Sequence, residues 1–302
     1  MDVENIKEEI TRLKEEKNAI MLVHNYQRGE IQDMADFLGD SLGLSKEAAK
    51  TDAEIIVFCG VSFMAETAKI LSPDKTVLLP RKEAGCPMAD MVTSHDVIAL
   101  KEKYPDAKVV SYVNTNADVK AETDVCCTSA NAVEVVRNID ADRVIFVPDR
   151  NLGSYVGRFV DKEIILWDGY CYVHENITKK EVVQAKEKYP DALLLVHPEC
   201  NPSVIDVADK VLSTGGMVNF VRESKAKKFL IGTEEGIIYR LKKENPDKEF
   251  YTAGTPRMCR DMKITTLNDV HHSLKYERYP IELPEEVMGK ARNALEAMLR
   301  YT

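Results

Sequence analysis

Lys101-Glu-Lys-Tyr-Pro-Asp-Ala107 returns unchanged as Lys186-Glu-Lys-Tyr-Pro-Asp-Ala192, 85 residues later. Laying the chain on itself at that spacing sets Tyr112 opposite His197 and Asn114 opposite Glu199. An earlier copy opens in Ala19-Ile-Met-Leu-Val-His-Asn-Tyr26 and puts His24 and Tyr26 in the same two slots, at a spacing of 88. The same spacings align Ser41, Ser129 and Thr214. Each copy closes on a cysteine: Cys86, Cys171 and Cys259, spaced 85 and 88. One triplicated frame with polar residues and sulfurs in matching slots points to one site where three units meet.

Within each copy, short apolar runs alternate with amphipathic stretches. The first copy reads as a helix over 3–17, with Ile6, Ile10 and Leu13 on one face. Strands at 19–23, 54–59 and 76–79 follow, with a helix from 31 to about 50, broken near Gly39, and another over 63–71. The second copy predicts a helix at 94–103, strands at 108–113, 143–147 and 163–167, and a helix from Ser129. The third predicts helices at 178–188 and 234–243 and strands at 192–196, 228–232 and 248–251. Strands separated by helices argue for α/β units with parallel sheets covered on both faces. Units of this length bury their own cores, which favours a compact ring over a solenoid. Their expected bounds are 1–86, 87–171 and 172–259. The tail 260–302, ending in a helix over 284–299, is expected to return and complete the first unit.

Among 302 residues, 44% are hydrophobic and 30% charged, the balance of a globular protein. A formal net charge of −9 argues against a broad nucleic-acid-binding surface. It leaves room for small anions, which helix N-termini can hold. No apolar run approaches the ~18 residues of a membrane span, so no membrane association is expected. The acidic amphipathic start lacks the pattern of an export signal, so the expected location is cytoplasmic. Seven cysteines in such a chain argue against a disulfide scaffold.

Ligands of parallel α/β units bind outside the carboxyl ends of the strands. The pairs His24–Tyr26, Tyr112–Asn114 and His197–Glu199 fall there, and Ser41, Ser129 and Thr214 lie near helix starts, where free N–H groups favour anions. Cys59 sits in an apolar run and reads as packing, Cys126 and Cys127 are adjacent, and Cys200 carries no assignable role. Cys86, Cys171 and Cys259 lie in polar, turn-rich loops at matching ends of the copies. Three thiolates suit zinc with water in the fourth place, and equally a [4Fe–4S] cluster with one iron open. Spacing does not choose between them. Another iron–sulfur hydro-lyase and a non-enzymatic metabolite-binding protein are both compatible with these residues.

Longer motifs are more specific. In order they are His24-Asn-Tyr-Gln27, Gly39-Asp-Ser41, Cys86-Pro-Met88, Tyr112-Val-Asn114 and Cys127-Thr-Ser-Ala-Asn-Ala132. Pro148-Asp-Arg-Asn-Leu-Gly153, Cys171 with His174, His197-Pro-Glu-Cys200 and Ser213-Thr-Gly215 continue the series. Together the set resembles the quinolinate synthase family, the A protein of bacterial and archaeal NAD biosynthesis, over about residues 5 to 300. The resemblance implies three pseudo-equivalent three-layer αβα units around a central cavity. It also implies a [4Fe–4S] cluster ligated by Cys86, Cys171 and Cys259. The implied reaction, a transferase step, condenses iminoaspartate with dihydroxyacetone phosphate to quinolinate. Functional coupling to an aspartate oxidase or dehydrogenase that makes iminoaspartate is implied as well. On this reading Glu199 is the main base, with His197, Tyr26, Tyr112 and His174 as proton carriers or orienting donors. His24, Ser41, Asn114, Ser129, Ser213 and Thr214 hold substrate anions. One departure is Asp261, where the family pattern leads us to expect Asn before Met-Lys.

Overall fold

The computed structural model describes residues 2–301. Its strands form three four-stranded parallel sheets of identical order. The first contains β1 (Ala19–His24), β2 (Phe37–Gly39), β3 (Ile55–Cys59) and β4 (Thr76–Leu78), in the order β2-β1-β3-β4. The second contains β5 (Lys108–Tyr112), β6 (Val125–Cys127), β7 (Arg143–Val147) and β8 (Glu163–Leu166), ordered β6-β5-β7-β8. The third contains β9 (Leu193–Val196), β10 (Lys210–Val211), β11 (Lys228–Gly232) and β12 (Glu249–Thr252), ordered β10-β9-β11-β12. Helices cover the sheets, giving the expected αβα layering. Central strands accordingly read as continuous apolar runs: all five residues of β3 are buried.

Local chemistry repeats with the frame. Helices Ser94–Lys103, Lys179–Lys188 and Leu267–Tyr276 each start on a reciprocal capping box, Thr93 with Asp96, Thr178 with Glu181 and Thr266 with Asp269. The duplicated heptapeptide ends the first two of these helices with the same turn. Tyr104 N–H bonds Leu100 and Ala107 N–H bonds Tyr104; Tyr189 and Ala192 do the same to Ala185 and Tyr189. That turn feeds β5 and β9, which explains why the phrase anchors the alignment.

Three differences from the sequence reading concern short elements. The helix expected from 31 to 50 is a one-turn helix Gly29–Gln32, strand β2, and a helix Ser41–Lys50. Strands β6 and β10 are likewise unanticipated; edge strands of two or three residues carry too few positions to show a period of two. The helix expected from Ser129 begins at Ala132.

The tail divides its packing. Helix Leu267–Tyr276 lies on Val3–Glu16 and β3 of the first sheet. The final helix Glu285–Leu299 instead packs on β6, the helix Ala117–Ala121 and the helix Ser62–Leu71. Its stripe of Ala291, Ala294, Leu295 and Met298 joins the core formed by Val110, Val144 and Phe146. Another core runs across the first and third sheets, bringing Leu22, Phe58 and Phe63 together with Leu195, Phe229 and Phe250. The carboxyl ends of the sheets are thereby held against one another. Among the described residues no helix is long and apolar enough to cross a membrane.

Candidate active site

In each sheet the chain runs from the first strand to the second on one side and from the third strand to the fourth on the other, so a crevice opens between the adjacent first and third strands. The residues just beyond the central strands line one cavity enclosing about 70 Å³. His24, Tyr26, Tyr112, Asn114, His197 and Glu199 arrive from the first strands, as the matching slots anticipated. Cys86, Cys171 and Cys259 arrive from the loops after the fourth strands, and His174 comes with Cys171. Ser41, Ser129 and Thr214 also line it. Ser213 does not; it lies in an adjoining cleft of about 480 Å³ that shares Asp40, Leu42 and Ser129 with the cavity. Met64 is both buried and part of the wall.

Buried polar contacts form a relay across the units. The Tyr26 hydroxyl meets Thr233 Oγ1 at 2.5 Å, and Thr233 Oγ1 meets His174 Nε2 at 2.7 Å. His174 Nδ1 lies 2.6 Å from Glu199 Oε2, within ion-pairing distance. A consistent assignment has Tyr26 donating to Thr233, Thr233 donating to His174 Nε2, and His174 Nδ1–H facing the carboxylate. His197 stacks on His174 at 4.6 Å, accepts the Glu199 N–H at Nδ1, and places Nε2 3.1 Å from Ser129 Oγ. Tyr112 faces Glu199 and Ser129. Thr233 was not singled out by sequence reading. Its signal was its place just past β11, where the third strand delivers side chains to the same crevice.

Burial sets the protonation states. It drives the His24 imidazole down to about 3, helped by Lys263 and His197, so His24 is neutral. Its Nδ1 accepts the Tyr26 N–H at 3.2 Å, leaving Nε2 to carry the proton. Burial, reinforced by Glu199, pushes the Tyr26 and Tyr112 phenols well above their usual range, so both are donors rather than bases. For Glu199 burial favours the neutral acid, but His174 and His197 beside it outweigh that and hold the carboxyl well below its usual range. Asp149, buried nearby, shifts the opposite way through burial and the Glu199 charge.

The three loop cysteines present a common arrangement. Each precedes a short helical turn, and the backbone N–H three residues on, at Ala89, His174 and Met262, faces its sulfur. The residues keep some surface, but their thiols are enclosed, and burial pushes all three up, Cys86 to about 12. Deprotonation at neutral pH therefore needs positive charge inside the cavity. The other four cysteines lie outside this cavity lining. Cys59, Cys126 and Cys127 pack in cores, and Cys200 donates to the Gly232 carbonyl at 3.5 Å.

Two further polar groups, Asn114 and Asp40, border the same space. Asn114 Oδ1 is buried without a hydrogen-bond partner among the described residues. Asp40, also unanticipated, caps helix Ser41–Lys50 through Gly43 N–H at 2.9 Å and accepts Gly215 N–H at 3.2 Å from the start of helix Thr214–Glu223. One carboxylate thus clasps two helix starts belonging to the first and third sheets.

Fold and site together define an α/β protein with a buried acid–base and thiol cavity at the switch points of three parallel sheets. The sequence model described as "Quinolinate synthetase A protein" matches residues 8–300. A quinolinate synthase of Caldicellulosiruptor saccharolyticus is 56% identical over 303 residues, covering 100% of both chains. One from Geotalea uraniireducens is 56% identical over 296 residues, covering 98% of this chain and 97% of its own. One from Methanoregula boonei is 52% identical over 298 residues, covering 99% of each. The chain belongs to the quinolinate synthase family.

Proposed function

We propose that this chain is a quinolinate synthase of NAD biosynthesis, condensing iminoaspartate with dihydroxyacetone phosphate to give quinolinate, phosphate and two waters. The observation that carries the reading is the convergence of Cys86, Cys171, Cys259 and Glu199 on one cavity, in a chain matched end to end by quinolinate synthases. The proposed ligands of a [4Fe–4S] cluster are the three cysteines. Their chemistry fits: three enclosed thiols that ionise only beside positive charge suit an iron–sulfur centre. Their spread fits too. Around one zinc at about 2.3 Å, thiolate sulfurs lie about 3.8 Å apart, whereas a cubane holds its cysteines on separate corners. Among the described residues, the ligand atoms that all lie within 4.8 Å of one another are those of Cys171, His174 and Glu199, not those of the three cysteines. That tighter trio is the one alternative metal site, and it would leave Cys86 and Cys259 unused. With one iron open, such a cluster supplies Lewis acidity toward a substrate oxygen.

The chain's own residues supply the proton handling and the binding. Glu199, ionised and buried, is the base, and its proton passes to or from His174. Tyr112, kept neutral, donates to developing negative charge, and Tyr26, kept neutral, donates through Thr233 into the relay to His174. His197 orients Ser129 and Glu199. His24 Nε2–H, Asn114, Ser41, Ser129 and Thr214 bind the carboxylates and phosphate, with Ser213 at the mouth. The units behind this site are 1–86 joined by helix Leu267–Tyr276, 87–171 joined by the final helix Glu285–Leu299, and 172–259. Ligand pockets usually measure about 300–1,000 Å³, so loading two substrates requires the seam clasped by Asp40 to part. The test is an anaerobic incubation with dihydroxyacetone phosphate and iminoaspartate generated in situ. Quinolinate formed in proportion to both substrates supports the reading. Dehydration of a hydroxy acid with no need for a triose phosphate would replace it with a hydro-lyase.

A further inference from the structure

The three cysteine loops are tied down by the same backbone bond but not by the same side chain. Ser62 N–H bonds the Ala84 carbonyl at 2.8 Å, Arg150 N–H bonds Gly169 at 2.9 Å, and Glu235 N–H bonds Arg257 at 2.9 Å. Each acceptor lies two residues before its cysteine, and the donors are spaced 88 and 85, in register with the triplicated frame. The residue just before each donor is Val61, Asp149 or Glu234.

In two units that residue reaches the cysteine itself. Asp149 Oδ2 accepts Cys171 N–H at 3.2 Å, while Oδ1 accepts Leu152 N–H at 2.7 Å. Glu234 Oε1 accepts Cys259 N–H at 3.1 Å, while Oε2 accepts Gly236 N–H at 2.7 Å. Both carboxylates are fully buried, and Lys263 pairs with Glu234 at 2.8 Å and also donates to the Tyr26 carbonyl. Val61 offers no acceptor, and among the described residues no side chain holds the Cys86 N–H.

We propose that Asp149 and Glu234 are pseudo-equivalent positioning residues that fix the backbone of the Cys171 and Cys259 loops in ligating position before any cluster is bound, and that the Cys86 loop is the adaptable one. Burying a carboxylate is costly unless its oxygens are met by donors, so each clamp holds its loop only in the geometry that satisfies both oxygens. Two fixed loops and one compliant loop allow a rigid group to be captured in sequence, with Cys86 closing last. The inference rests on the three cysteines being the ligand set. Failure of that reading is separately visible, as a chain that takes up no iron and sulfide on anaerobic reconstitution.

The test is amide hydrogen exchange on the full-length chain, without and with reconstituted cluster, resolved to the three cysteine loops. In the cluster-free wild type, the Cys171 and Cys259 amides should exchange roughly tenfold more slowly than that of Cys86, and loading should slow Cys86 most. Asp149→Val, which installs the residue of the first copy, should speed exchange at Cys171 about tenfold and leave Cys259 unchanged. Glu234→Val should do the reverse, and Asp149→Glu, retaining an acceptor, should keep Cys171 slow. If a valine variant fails to fold, the wild-type comparison decides. Equal exchange at all three loops of the wild type overturns the proposal, as do variant rates within twofold of wild type in folded protein.

Discussion

Thr233 joins Tyr26 to His174, and Thr233→Val removes that joint while keeping the shape of the side chain. Valine leaves the Tyr26 hydroxyl, now 2.5 Å from Oγ1, and His174 Nε2, now 2.7 Å from it, without their shared partner. Thr233 is 2% exposed, so water does not readily replace the hydroxyl. Each orphaned buried group costs about 1–3 kcal/mol. A loss of about 1.4–2.8 kcal/mol from the transition state is a ten- to hundredfold fall in kcat. The KM for dihydroxyacetone phosphate should stay within about threefold, because Thr233 is not among the groups facing the anions. The assay is anaerobic quinolinate formation at saturating substrates, with iron content measured on the same samples. Thr233→Ser, which restores the hydroxyl, should recover most of the rate. Near-normal kcat in Thr233→Val at full iron content would refute the relay. Equal loss in the serine variant would show that packing, not the hydroxyl, matters.

Other consequences follow from the same geometry. Glu199→Gln keeps volume but removes the charge that faces His174 Nδ1, and should cut turnover roughly 100-fold with iron and sulfide content unchanged. Stability should fall in acid through His24. Its folded value of about 3 lies below the ordinary 6.5, so between those values the unfolded chain binds the extra proton and stability rises with pH. The His24 contribution is thus complete above pH 6.5 and should be about 2 kcal/mol smaller at pH 5. Urea unfolding of the cluster-free chain at pH 5 and 7.5 measures this, and His24→Asn should flatten that part of the profile; an unchanged slope would contradict it.

Nine of the twelve strands and the convergence of the matching slots on one cavity were legible in the sequence because both repeat. Central strands such as Ile55–Cys59 are continuous apolar runs, and the spacing of 85 sets Tyr112 opposite His197 and Cys86 opposite Cys171. Strands β2, β6 and β10 were not legible, because two or three residues paired to a stronger neighbour need no pattern of their own. The final helix was expected over 284–299, but a helical pattern does not name the surface it covers, and the second sheet rather than the first receives it. Asp149 and Glu234 were in plain view at the spacing of 85, yet a lone acidic residue after a strand reads as solvated until its oxygens are seen to meet Cys171 and Cys259. Thr233 and Asp40 act across units, and contacts between copies leave no trace in a comparison of one copy with another.

The claim that three copies meet to build one cluster site is tested most directly by metal content across a cysteine series. Anaerobically reconstituted wild-type chain should hold about four iron and four sulfide. Cys86→Ser, Cys171→Ser and Cys259→Ser should each lose the intact cluster, while Cys59→Ser and Cys200→Ser retain it. A colourless wild type binding a single zinc, lost on changing His174 but not Cys86 or Cys259, would contradict the account.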